Sequence, residues 1–110
     1  MAPSKMENME QYDGTRDMVE RLLYGECREL SYTQYDIDGP AMDEVLATMR
    51  LKMVHKNNRR VLFIETEEFG VTRDDVIEDH EKIIIRDDDL LILTERIVGD
   101  LNGFTFVEER

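Results

Sequence analysis

Apolar and polar residues alternate cleanly from Met49 to Met53, ahead of Asn57-Asn58, and the apolar stretch Val61 to Ile64 follows that pair. Period-two alternation marks a half-buried strand, and Asn tolerates positive φ well enough to fill a two-residue type I′ turn. Residues 48–66 therefore predict a β-hairpin. Closing Lys56 on Arg59 pairs Val54 with Val61, Met53 with Leu62, Leu51 with Ile64 and Arg50 with Glu65. One face then carries Met49, Leu51, Met53, Leu62 and Ile64, a core face. The other carries Val54, Val61 and Phe63 near the turn, then Arg50, Lys52 and Glu65. A one-residue slip would turn the Met/Leu set outward. The rival is a helix from Ala41 to Lys56, with Met42, Val45, Leu46, Met49 and Met53 on one side; the alternation over 49–53 favours the hairpin.

The rest of the chain divides by the same logic. Val19, Leu22, Leu23, Cys27 and Leu30 fall at helical spacing and predict a helix over about 15–30, with Asp17 and Arg21 as an i,i+4 pair and Gly25 a weak point inside it. Residues 31–37 read as a short strand or extended link. Pro40, with Asp43 and Glu44 in the following turn, predicts a short helix that ends before Thr48. After a turn at Phe69-Gly70, Thr72 as N-cap, Asp75 three residues on, and Val71 with Val76 as a hydrophobic staple predict a helix over about 73–80. The apolar runs 83–85 and 90–93 read as strands joined by a hairpin turn at Asp87-Asp88-Asp89. Asn102-Gly103 then introduces a last strand at about 103–107, with 94–98 available to extend the preceding strand and pair with it.

Together these elements imply an α+β fold: a single small domain with an antiparallel sheet of about four to six strands built from hairpins. An N-terminal helix packs on the sheet, with one or two short helices besides. Residues 1–12 read as a flexible tail and 13–110 as the domain. At 110 residues the chain is long enough for one core.

Charge changes the picture more than composition does. The net charge is −12, unevenly placed. Residues 45–64 hold five bases and no acid, whereas residues 1–44 are net −7 and residues 65–110 net −10. Such a balance argues against nucleic acid or an anionic membrane as a direct ligand. No apolar run approaches the roughly 20 residues of a membrane span, and the polar start MAPSKMENMEQYDG lacks a signal-peptide core. The lone cysteine, Cys27, cannot close an internal disulfide, which points to a reducing, cytoplasmic setting.

Catalytic chemistry finds little footing. Cys27 lies on an apolar stripe, no Gly-x-Ser-x-Gly elbow or phosphate-cradling glycine loop is present, and His55 falls beside Arg60 rather than a carboxylate. Glu65 and Glu67 share a strand face, but no lysine stands two residues after either. The run Asp36-Ile37-Asp38-Gly39 resembles part of a calcium loop, but Val45 stands where the bidentate glutamate would be. Glu78, Asp79 and Glu81 flank His80, yet neighbours on a helix diverge and do not converge on one ion. No catalytic residue, metal site or cofactor is expected.

Binding remains. One expectation is a subunit that self-associates or joins a complex, with the basic hairpin tip (Lys56, Arg59 and Arg60) meeting acids of a partner or of a second copy, or an exposed strand pairing between copies. The alternative is an inhibitor of phage type. Its carboxylates on Asp74, Asp75, Glu78, Asp79, Asp87, Asp88 and Asp89 would imitate a nucleic-acid backbone and block the basic site of a nucleic-acid-binding protein. The plainer account of those acids is a well-solvated surface, and that of Arg50, Lys52 and Arg60 is neutralisation of the protein's own charge.

Overall fold

The computed structural model describes residues 14–36, 44–70 and 75–110. A helix, α1 (14–23), leads into β1 (Glu29–Tyr35). Then come β2 (Val45–Lys56), β3 (Arg59–Phe69) and β4 (Val76–Ile85). A 3-10 turn, Asp87–Asp89, opens α2 (Leu90–Asp100), and β5 (Thr105–Glu109) closes the chain. The strands form one five-stranded antiparallel sheet in the order β4-β3-β2-β1-β5. The fold is α+β.

The central hairpin forms in the register its sequence predicts. Asn57 and Asn58 both have positive φ (54° and 63°), as a type I′ turn requires. Lys56 pairs with Arg59, Val54 with Val61, Met53 with Leu62, Leu51 with Ile64 and Arg50 with Glu65. Residues 45–56 are strand throughout, so the helical reading of Ala41–Lys56 fails, as does the short helix across 45–47; residues 37–43 lie outside the described residues.

The strand residues of the main core cluster all lie on one sheet face. Leu30, Tyr32, Met49, Leu51, Met53, Leu62, Ile64 and Ile85 form one cluster with Val19, Leu22, Leu23 of α1, Cys27, and Leu93, Ile97, Leu101 of α2. Both helices therefore pack on that face. Alternation along each strand sends the remaining side chains to the opposite face, which no described element covers.

Three elements differ from their sequence expectation. The first helix stops at residue 23 rather than 30. Gly25 has φ +83° and forms a Schellman ending, with Gly25 N–H donating to Leu22 O (3.0 Å) and Glu26 N–H to Arg21 O (2.7 Å). Gly25 is thus the stop signal and not a soft spot, and Cys27 and Leu30 reach the core from a loop and a strand. Arg21 turns to Glu109 (2.8 Å), which ties α1 to β5, instead of pairing with Asp17.

The expected helix at 73–80 is strand from Val76 on, because β4 pairs with β3 along its whole length, from Ile85 opposite Arg60 to Val76 opposite Phe69. Ten residues of cross-strand bonding outweigh a local start signal that lies partly in 71–74, outside the described residues. Residues 90–98, read as strand, are helix. Leu90, Leu93, Ile97 and Leu101 recur at helical spacing and pack on the core, and Thr94 donates its hydroxyl to Leu90 O (2.7 Å). The aspartates at 87–89 are the acidic first turn of a helix, not a hairpin tip. β5 consequently pairs with β1, at the sheet edge opposite β4.

Candidate protein-interaction surfaces

The uncovered sheet face is built of straight cross-strand rows. Ile84, Val61 and Val54 form an apolar row near the hairpin turn, and Phe63 lies between Lys82 and Lys52 in the next. Val61 is 7% exposed although it stands outside the main core cluster, so this face has a small apolar centre of its own. His80, Glu65, Arg50 and Ser31 make the third row, and Glu78, Glu67, Thr48 and Thr33 the fourth. A shallow depression of about 380 Å³ opens over these polar rows.

Charges on this face are locally balanced. His80 Nδ1 stands 3.8 Å from Glu65 Oε2 and its Nε2 4.0 Å from Glu78 Oε2. Arg50 lies opposite Glu65 as its register requires, yet its guanidinium reaches Glu29 on β1 (Nε to Oε2, 3.2 Å). On the helix side Arg96 binds Glu81 and reaches Asp100 (3.7 Å), tying α2 to β4; the bond to Arg96 lowers the Glu81 carboxyl below its usual range. Arg16 pairs with Glu95 (2.6 Å) between the two helices.

One residue from each of the two surfaces picked out in the sequence pairs with the other within the chain. Arg60, expected at an exposed hairpin tip, is half-buried on the helix face. It donates to Leu23 O (2.7 Å) and to Asp87 Oδ1 (2.6 Å), so a candidate basic residue and a candidate acidic residue hold each other. Lys56 and Arg59 stay exposed at the turn. The acids do not form one surface either. Asp75, Glu78 and Asp79 sit at one end of β4 and Asp87, Asp88 and Asp89 beyond the other, roughly 30 Å apart at strand rise. Glu78 and Asp79 point to opposite faces, and Asp74 lies outside the described residues. Nothing in the local sequence signals the Arg60–Asp87 contact, since its partners are 27 positions apart.

Sequence reasoning missed the exposed edge. Among the described residues β4 pairs with no strand but β3, and it displays Val76 (39% exposed), Ile77 (65%) and Ile84 (47%), with Ile92 of α2 beside Ile84. The misread helix at 73–80 concealed it. Among the described residues no group of three or more His, Cys, Asp or Glu could hold a metal ion. Cys27 is a buried free thiol whose pKa is raised, first by burial and then by Glu109. No described helix is long and apolar enough to cross a membrane. No protein-family model, curated protein or solved structure matches the chain.

Proposed function

We propose that the protein acts by protein–protein interaction, as a self-associating subunit without chemistry of its own, in a cytoplasmic setting. The observation that supports this is a sheet with both helices on one face, an apolar centre (Val54, Val61, Phe63, Ile84) on the other, and a strand edge with exposed isoleucines beside it. Large apolar side chains left exposed along an unpaired edge, as Val76, Ile77 and Ile84 are, commonly mark an association site. A second copy brings the same balanced charges, so association between copies avoids the repulsion that a net charge of −12 would raise at a one-signed surface.

Sedimentation of the full chain over a hundredfold concentration range tests this reading. Association that weakens on Ile84→Glu supports it, and a monomer at every concentration refutes it. The reading in which the acids block a basic nucleic-acid-binding site draws support from Asp88 and Asp89, which are exposed and make no ion pair among the described residues. Capture of a basic protein that is lost on Asp88→Lys/Asp89→Lys, and that falls steeply with salt, would favour it instead.

A further inference from the structure

We propose that β4 is a homodimer interface, pairing antiparallel with β4 of a second copy about a two-fold axis that passes beside His80. This assignment deepens the self-association reading and rests on it. β4 is an edge strand with no partner strand on its outer side among the described residues, and its His80 N–H donates to Asp79 Oδ1 (2.9 Å), a contact that strand pairing would replace. A two-fold axis normal to the sheet keeps both uncovered faces on the same side, so residues of equal parity must stand opposite each other.

Centred on His80, that rule sets Val76 against Ile84 and Glu78 against Lys82, each twice, with His80 facing its own copy. The uncovered face of β4 is therefore complementary to its own reverse: apolar, acid, His, base, apolar meets apolar, base, His, acid, apolar. On the helix face Ile77 falls opposite Ile83. Shifting the centre by one residue destroys this match. Centred on Asp79, Val76 meets Lys82 and Ile77 meets Glu81; centred on Glu81, Glu78 meets Ile84 and Asp79 meets Ile83.

The same register fills a groove. Ile83, Ile92 and Leu93 line a depression of about 360 Å³ between β4 and α2. Ile77 of the second copy, opposite Ile83, would enter it, which gives a purpose to an isoleucine left 65% exposed. The unfavourable row sets Asp79 against Glu81, but Glu81 is already held by Arg96. Charged residues along an edge otherwise discourage pairing; here their order converts repulsion into self-recognition. Two five-stranded sheets would join into one, with all helices on one side and the apolar patches around Phe63 on the other.

Charge swapping tests the register in the full chain by sedimentation equilibrium at physiological salt. Lys82→Glu or Glu78→Lys alone sets like charges opposite each other twice and should weaken the dimer by roughly tenfold or more, whereas the double swap should restore it. All these positions are exposed, and unchanged circular dichroism will confirm the fold. As a second measurement, His80→Cys should close an intermolecular disulfide under mild oxidation, the Cα atoms facing each other at about 4.5–5.5 Å. Glu78→Cys, with its copy roughly 13 Å away, should not. A wild-type dimer indifferent to both single charge variants overturns the register and leaves self-association standing. A wild-type monomer overturns both. Open-ended assembly that depends on Phe106 or Val107 would show β5 to be the partner of β4 and overturn the two-fold pairing.

Discussion

Replacing Arg60 by Ala tests how the hairpin is fastened to the helices. The last four carbonyls of α1 each need a donor. Glu20 O accepts from Tyr24 N–H (2.9 Å), Arg21 O from Glu26 N–H and Leu22 O from Gly25 N–H. Leu23 O accepts from Arg60 Nη1 (2.7 Å), a contact across 37 positions. Removing the guanidinium strips that carbonyl of a charged donor, a loss of about 1.5–3 kcal/mol. The contact with Asp87 is worth less: the Asp87 side chain is 85% exposed, and ion pairs of that kind contribute about 0–1 kcal/mol. Arg60→Ala should therefore destabilise by about 2–3 kcal/mol, Asp87→Asn by less than about 1 kcal/mol, and Arg59→Ala by less than about 0.5 kcal/mol. Urea unfolding monitored by circular dichroism gives all three, and a double-mutant cycle isolates the ion pair. Lys at position 60 should recover little, because its ammonium does not present the planar fork that reaches two acceptors. If Arg60→Ala costs no more than Arg59→Ala, or Asp87→Asn costs as much as Arg60→Ala, the assignment of the effect to the Leu23 carbonyl is wrong. A substitution of Lys56, Arg59 and Arg60 together by Ser is then not neutral to folding, although each looks like a surface residue in the sequence.

Three further outcomes rest on the packing. Leu51, fully buried at the centre of the sheet, should cost about 3–4 kcal/mol when cut to Ala, read from the urea midpoint at constant m-value. Gly25→Ala should cost about 1–2 kcal/mol, since φ +83° is strained for any Cβ and this one would also meet His55 Cε1 at 3.2 Å; Gly99→Ala, in open space within α2, should be neutral or stabilising. The buried Tyr32 hydroxyl has no hydrogen-bond partner among the described residues, and burial, then Cys27 and Glu109, push its pKa from 10.0 up to about 12. The folded state thus keeps this proton to higher pH than the unfolded chain does. Its contribution is complete below pH 10 and is lost as pH rises towards 12, so alkaline unfolding curves should fall over that window and flatten in Tyr32→Phe, which at pH 7 should be neutral or slightly stabilising.

Where sequence and structure agree, the deciding forces were local. The hairpin needed only two asparagines able to take positive φ and the alternation Met49, Leu51, Met53 against Leu62, Ile64, and these set its register residue by residue. The α+β class came from the same kind of evidence. Where they part, the choice lay between partners distant in the chain. Thr72, Asp75 and the Val71–Val76 staple signal a helix start in the sequence, yet β3 offered Val76 to Ile85 a full-length partner, and ten cross-strand pairs outweigh one local start signal. Leu90 to Leu93 is an apolar run too short to tell strand from helix; Leu90, Leu93, Ile97 and Leu101 show the helical period only once α2 has a sheet to lie on. Gly25 is plain in the sequence, but whether a glycine weakens a helix or ends it depends on the path of the chain beyond it, and here β1 had to turn back under α1. The surfaces show the same division. Their charge was countable from the sequence alone. That Arg60 and Asp87 neutralise each other, that the acids split between two ends of one strand, and that this strand lies at an edge were settled by sheet order, which long-range packing sets and no local pattern encodes.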